Sequence, residues 1–410
     1  MEAPPIGPFG PRQPAERVVR PRRRLRAGVT QGFGLVVGVT LGLTLPRIDG
    51  GARVSASRTV EVLGVVGIAV LGVTSLIFSL LFLVAQWVAG NFSPRLSLFR
   101  SDPVVWRVFA FVIGLLAFAV SATLTIGSRA TVPLVVPLLT GVGTVVALAL
   151  VRTLQLRAFG AIQLAQVLAG TAARGHAVLD AFYPRSDADV RPAPGPLPPV
   201  RSTVAWPVAT RVIEQVDVRA MVASARGAGA TVVLRVPVGG TVHRGDPVAD
   251  VRGGAMTDDQ VLRNLIPGPE RSFHQDPLHA FRLLADIGLR ALSPAVNDPA
   301  TAVQALDGID SLLRRLVGAR LDAASVPDES GEVRVVLLLP AWSDFLRTGL
   351  DDMCRAALDS PMVLAHATRV LRGLLTSAPP ERREPLRERL AWVEQELRVR
   401  HPPFMSLGPG

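Results

Sequence analysis

The sequence predicts an α-helical membrane protein with four transmembrane helices, followed by a C-terminal α+β cytoplasmic domain containing a small β-module. Three observations carry that expectation. Four long apolar runs fill the first 151 residues. Charge is scarce: 19% of the 410 residues are charged and 49% are hydrophobic, where an ordinary soluble chain carries about 25% charged residues. Beyond residue 152 the texture changes to charged, amphipathic helices interrupted by one β-branched stretch.

Each span follows from its own text. The first run, Ala27 to Leu45, holds no charge and follows an arginine-rich leader, residues 1–26. It ends in Leu45-Pro46-Arg47 without a small-residue cleavage pattern, so it reads as a retained span and not as a signal peptide. The second, Val62 to Ala89, is about 28 residues, or roughly 42 Å of helix, longer than the hydrocarbon core of about 30 Å. The third runs from Val108 to Ile126, with Arg107 placed to snorkel. The fourth, Thr131 to Val151, contains Pro133 and Pro137 and is separated from the third only by Gly127 to Ala130. These two form a tight antiparallel hairpin.

Arginine counts set the orientation. Arg12, Arg17, Arg20, Arg22, Arg23, Arg24 and Arg26 precede span one, against Glu2 and Glu16. Arg95, Arg100 and Arg107 lie between spans two and three, and Arg152 and Arg157 follow span four. The opposite side carries Arg47, Arg53, Arg58 and Arg129. The bias places both termini in the cytoplasm; the lysine-free, Arg/Ala/Val/Gly-rich usage suggests a GC-rich bacterial genome, and with it the bacterial inner membrane. The leader lacks interleaved aromatics, so it reads as a topology and anionic-lipid signal, with no nucleic-acid partner. Inside the spans, Thr74, Ser75, Ser79 and Gln86 form a polar series on span two, suited to a polar path or, more simply, to interhelical hydrogen bonds. Gly34, Gly38 and Gly42 share one face of span one, which can pack within a subunit or between subunits.

Residues 152–182 read as a membrane-proximal amphipathic helix with Leu156, Phe159, Ile162, Val167 and Leu168 near one face. Residues 183–202 are a proline-rich linker. The β-module occupies 203–254, where Gly240 to Val248 resembles the hairpin of lipoyl- or biotinyl-type barrels. Those carriers modify a lysine, and all 44 basic residues here are arginine. The same absence excludes Schiff-base chemistry and a P-loop. The single cysteine, Cys354, excludes an intramolecular disulfide and a cysteine metal cluster. No cofactor is expected. Residues 255–400 read as mainly helical, apart from a strand at Val333 to Leu339, and 401–410 as a tail.

The most distinctive text lies in that helical region. Arg271-Ser272-Phe273-His274-Gln275-Asp276 leads into one helix, and Arg290-Ala291-Leu292-Ser293-Pro294-Ala295-Val296-Asn297-Asp298-Pro299-Ala300-Thr301-Ala302 joins it to the next. Ser293-Pro294 stops a helix, and Asp298 is an N-cap with Pro299 at the first helical position. Capping accounts for that step without chemistry. The functional alternative gathers Arg271, His274, Gln275, Asp276, Arg290, Ser293, Asn297, Asp298 and Thr301 into one polar binding site. Asp351-Asp352 reads as an exposed acidic turn more simply than as a cation site.

The 290–302 stretch resembles the hallmark of a family of predicted bacterial membrane proteins known only as a domain of unknown function. Phe92-Ser93-Pro94-Arg95 is similar to that family's Tyr/Phe-Ser-Pro-Arg step, and Arg271 with Gln275-Asp276 to its Arg-…-Gln-Asp element. The resemblance implies four N-terminal spans and a C-terminal soluble region, and brings no established activity. Family members often carry a histidine pair just after span four, where this chain has Gln155, Arg157 and Phe159. The expectation is an oligomeric channel, transport-related or sensory protein, partnered by the lipid bilayer, further copies of itself and an unknown ligand or protein of the cytoplasmic domain. The alternative is a membrane-tethered enzyme using His274, Asp276 and Asp298. It lacks any Gly-x-Ser-x-Gly, His-Glu-x-x-His or nucleotide loop.

Overall fold

A computed structural model describes residues 26–91, 103–183, 196–273, 275–321 and 324–402. The described residues divide into two compact units, one up to residue 167 and one from residue 168 onward. The arginines of the leader before Arg26, the Phe92 to Arg95 step, most of the proline-rich linker and His274 lie outside the described residues.

The first unit is a helical bundle. Helix α1 (Arg26–Thr44) ends at Pro46 in a short 3-10 turn. Strand β1 (Arg53–Ser55) leads directly into α2 (Ala56–Asn91), then come α3 (Pro103–Ile126), β2 (Thr131–Pro133) and α4 (Val135–Ile162). Among the described residues, four helices are long and apolar enough to cross a membrane. The hub is α3, whose apolar window is 50% buried, against 17%, 17% and 28% for the other three in chain order. Outward positions such as Phe33, Leu124 and Val145 stay exposed, as lipid-facing residues should.

Span four differs from its expected start. Thr131 to Pro133 is a strand, paired antiparallel with β1 through Val54 opposite Val132. Pro137 consequently falls in the first turn of α4, where a missing N–H costs no helical hydrogen bond. The polar series on α2 is also satisfied locally. Thr74 Oγ1 donates to the Val70 carbonyl at 2.6 Å and Ser79 Oγ to the Ser75 carbonyl at 3.0 Å. Those hydroxyls return to their own backbone, and Ser75, Ser79 and Gln86 point outward.

The glycines of α1 face α3. A Cβ at Gly38 would lie 2.8 Å from the Gly114 carbonyl carbon, and one at Gly114 would lie 2.8 Å from the Gly34 carbonyl oxygen. The third glycine, Gly42, sits over Phe118, Ser121 and Ala122. Small residues on both helices let the backbones touch. The face that sequence left undecided packs inside the subunit.

The second unit begins within α5 (Leu164–Phe182). The predicted 152–182 helix is therefore interrupted, with Gln163 between α4 and α5. Leu156 is exposed while Val167 and Leu168 are buried, so the expected stripe is not continuous. After the linker come β3 (Val200–Ala205), β4 (Arg211–Val216), α6 (Val218–Gly227), β5 (Ala230–Leu234), β6 (Thr241–Val242) and β7 (Pro247–Gly253). Next are α7 (Asp258–Leu262), β8 (Leu265–Gly268), α8 (His279–Ala291), α9 (Pro299–Leu316), β9 (Ala324–Pro327) and β10 (Val333–Leu337).

A five-stranded sheet has the order β3-β7-β5-β10-β9, and only β5 and β10 run parallel. A three-stranded antiparallel sheet has the order β6-β4-β8. The hairpin that resembled a lipoyl barrel does not form as such: β6 pairs with β4, and β7 with β3 and β5. The turn between them, His243 to Asp246, hands the chain from one sheet to the other, closed by Asp246 Oδ2 accepting from the His243 N–H at 2.8 Å. Strand β8 interrupts the stretch expected to be helical, because Leu265 to Gly268 completes the edge of β4. The sheet core is Val232, Val251 and Val335, each fully buried.

Helices complete the unit. Apolar positions of α8 (Phe281, Leu284, Ile287) meet those of α9 (Ala305, Ile309, Leu312), all buried. Gly308 of α9 brings Leu284 to within 3.2 Å of where a Cβ would stand. Within the stretch expected to be mainly helical come α10 (Trp342–Leu346), a π-helical turn Arg347–Asp351, and α11 (Asp352–Ala356). Inside that turn Gly349 packs against Ile309 and Phe281. Last come α12 (Pro361–Ser377) and α13 (Pro380–Arg400). Arg382 of α13 donates to the carbonyls of Leu316, Val317 and Ala319, and so caps the orphan acceptors that end α9.

Candidate functional site

The candidate residues fall into two clusters, one at each end of α8. The first lies in the loop between β8 and α8. Arg271 Nε donates to Asp276 Oδ2 at 2.6 Å and Arg271 Nη2 to Oδ1 at 2.9 Å, a two-pronged pair. The Asp276 side chain is 1% exposed and the Arg271 side chain 33%. Asp276 Oδ1 also accepts from the Leu278 N–H at 3.0 Å, which orders the entry to α8. Gln275 spends its amide on β4: Oε1 accepts from the Val216 N–H at 2.7 Å, and Nε2 donates to the Val216 carbonyl at 3.0 Å. That mimics one rung of a β-ladder.

Gly239 is the third partner of this knot. Its φ is +84°, and a Cβ there would stand 2.6 Å from the Asp276 carboxyl carbon and 3.0 Å from Arg271 Nε. Only glycine takes that turn and leaves the ion pair its room. Phe273 completes the loop, with the Arg174 guanidinium 5.2 Å from its ring centroid and the His279 ring 4.7 Å away, edge to face. Beside the knot is a narrow apolar crevice of about one water's volume, bounded by Phe182, Leu234, Val236 to Val238, Gln275 and Leu337 to Pro340.

The second cluster is the corner between α8 and α9. Ser293 closes α8: its N–H and Oγ both donate to the Arg290 carbonyl, at 3.1 and 2.7 Å. The N–H of Asn297 reaches Ser293 O at 2.9 Å, and that of Asp298 reaches Ala291 O at 2.8 Å. Asn297 has φ +47°, a left-handed position that asparagine tolerates better than most residues. Asp298 caps α9, accepting from the Thr301 N–H at 3.1 Å and from Thr301 Oγ1 at 2.5 Å. Those bonds to Thr301 hold its carboxyl below the usual carboxylate range. Pro294 to Asn297 are exposed, as is Arg290.

The two clusters do not converge. They are separated by the 13 residues of α8, about 20 Å of helix. Arg271 and Asp276 pair at one end, with Gln275 beside them bound to Val216; Arg290, Ser293, Asn297, Asp298 and Thr301 build the turn at the other. Asp276 is occupied by Arg271 and Asp298 by Thr301. Asp351 is held by Arg389 through bonds of 2.6 and 2.9 Å, and Asp352 lies 3.4 Å from Arg355. Asp276, Asp351 and Asp352 are counter-ions of arginine.

Sequence reasoning missed the anchor at the end of α5. Arg315 of α9 is 3% exposed; its Nε donates to Asp180 Oδ1 at 2.6 Å and its Nη2 to the Tyr183 carbonyl at 2.5 Å. Tyr183, the only tyrosine of the chain, is fully buried, with its ring 5.8 Å from that of Phe345 and its hydroxyl 3.3 Å from the Pro340 carbonyl. Burial, then the nearby Asp344 and Asp276 carboxylates, push the phenol well above its usual range. Gly175 lets α5 lie against Ala280 and Leu312. The readable signal was Arg315 bordering the apolar stripe of α9 between Leu312 and Leu316.

Comparison with known proteins agrees with this architecture. Residues 29–373 match the model of a family described as "Predicted membrane protein (DUF2254)". An uncharacterised protein of Mycobacterium bovis is 28% identical over 351 residues, covering 81% of this chain and 67% of its own length. Uncharacterised proteins from two strains of Mycobacterium tuberculosis match with the same identity and coverage. No solved structure matches the chain.

Proposed function

The chain belongs to the DUF2254 family of predicted membrane proteins, and we propose that it is an oligomeric channel, transport-related or sensory protein of the bacterial inner membrane, with its soluble unit acting as the regulator. The observation that carries this reading is the course of the chain out of the fourth apolar helix. Gln163 alone separates α4 from α5, and α5 ends where the buried Arg315 and Tyr183 meet Asp180, whose side chain stays 40% exposed. In this reading α5 is the segment through which the second unit acts on α4. Both termini are cytoplasmic in this reading, by the arginine bias around the spans.

Assembly of several copies is supported by the outward face of α2. Gly64, Gly72, Ser75, Ser79 and Gln86 fall on one side of that helix and are exposed. No atom lies within 4 Å of where a Cβ would stand at Gly64 or Gly72. Small and polar side chains favour helix neighbours over lipid tails. The test is the particle mass of the full chain in nanodiscs and in mild detergent. More than one copy per particle is expected; a strictly monomeric particle in both would overturn a pore built between subunits.

A further inference from the structure

We propose that the arginine cap at the β1–β2 end of the helical bundle binds the phosphate-bearing headgroups of anionic phospholipids. The cap consists of two segments, 45–58 and 127–134, that interlock. Besides the β1–β2 ladder, the Leu134 N–H donates to the Ala52 carbonyl at 2.8 Å and the Ala56 N–H to the Ala130 carbonyl at 3.1 Å. Arg129 Nη1 donates to the Pro46 carbonyl at 2.5 Å, and Arg53 Nε and Nη2 to the hydroxyl and carbonyl oxygens of Thr131 at 3.0 and 3.3 Å. The inner side is sealed by Ala56 and Val132, both buried.

The outer side is strongly basic. It carries Arg47, Arg53, Arg58 and Arg129 against Asp49, with Glu61 a turn further along α2. Asp49 stands 3.6 Å from Arg53 with its side chain 92% exposed, so water screens that pair. Arg53 and Arg129 otherwise bind neutral oxygens, which orient their charges without cancelling them. Arg47 and Arg58 are exposed and bind no other described residue. All four apolar helices begin or end at this cap, which sets it beside the headgroup layer of any bilayer they cross. In the orientation proposed above this is the side where arginine is normally depleted. A basic surface at that level fits phosphate oxygens.

The experiment uses the full chain in a neutral detergent, following its thermal midpoint as short-chain lipids are added. Dihexanoylphosphatidylglycerol should raise the midpoint, and dihexanoylphosphatidylcholine should not. R47Q/R58Q removes two charges that brace nothing in the fold and should raise the half-effect concentration by roughly 25-fold, about fivefold per arginine. R47K/R58K should stay close to the parent chain. R107Q/R152Q, at the other ends of α3 and α4, should leave the response unchanged. The proposal is overturned if the two lipids act alike, if R47Q/R58Q matches the parent, or if R107Q/R152Q alone removes the effect. Inorganic phosphate acting as strongly as the lipid would overturn it in favour of a soluble anion.

Discussion

Gly38→Ala tests the helix seam at the heart of the bundle. A methyl group at Gly38 would stand 2.8 Å from the Gly114 carbonyl carbon and 3.0 Å from its Cα, with the carbonyl oxygen nearer still. Contacting carbons prefer about 3.5–4.0 Å, so α1 must retreat by about 1 Å. Neither helix has a side chain there to swing aside. Overpacking of this kind costs about 1–3 kcal/mol, while alanine gains up to about 1 kcal/mol in helix propensity. With the full propensity gain subtracted, the expected net loss is about 0–2 kcal/mol. The matched control is Gly141→Ala on α4, where a Cβ meets nothing within 4 Å and propensity alone should act. Reversible unfolding in mixed micelles, followed by tryptophan fluorescence, measures both. If G38A is as stable as G141A, the α1–α3 contact is not the one described.

Four further outcomes follow from the second unit. Asp298→Ala should cost about 1 kcal/mol of stability and Asp298→Asn much less, since asparagine also caps; equal losses in chemical denaturation would contradict a capping role. The Asp298 carboxyl is held below its usual range, so its contribution is complete above the unfolded value of about 3.9 and disappears as pH falls through the lower folded value. A pH titration of parent against D298N checks that sign. Asp180→Ala leaves the buried Arg315 without its carboxylate and should cost about 1–3 kcal/mol, more than Arg315→Met, which removes the charge itself; the reverse order in thermal melts would refute the anchor. Cys354 is buried and its thiol is pushed up to about 12, mainly by burial and then by Asp351. The folded chain should resist maleimide at neutral pH and be labelled once unfolded, as mass spectrometry would show.

Much of this architecture is legible in the sequence, and the reason is range. The apolar runs need only local composition, so all four spans are readable. The α8–α9 corner is readable too, because Ser293, Pro294, Asp298 and Pro299 act on their own backbone within a few residues. What escaped depends on distant partners. Thr131 to Pro133 is a strand only because β1 lies opposite it, and Leu265 to Gly268 is one only because β4 has an open edge. Gln275 answers to Val216, and Asp276 to the space left by Gly239; spacing within one segment cannot reveal either.

The candidate site shows the same division. Sequence identified its residues, yet their separation along α8 makes two structural devices of them, a loop knot and a helix corner. Arg315 and Asp180 lie 135 positions apart, and the buried guanidinium left only the trace of a charge beside an apolar stripe. The glycines of α1 were visible as one face, and only α3 decides what that face meets.

The proposed function rests on copies meeting through α2 and on α5 linking the spans to the soluble unit. Both are tested by disulfide cross-linking of Ser75→Cys in native-like membranes. Cys354 is buried and contributes no background. Ser75→Cys should cross-link between copies while Val145→Cys, exposed on α4, should not, and adding Arg315→Met should change the rate for Ser75→Cys. Absence of a cross-link at position 75, or equal cross-linking at 145, would contradict assembly through α2. A rate indifferent to Arg315→Met would contradict regulation through α5.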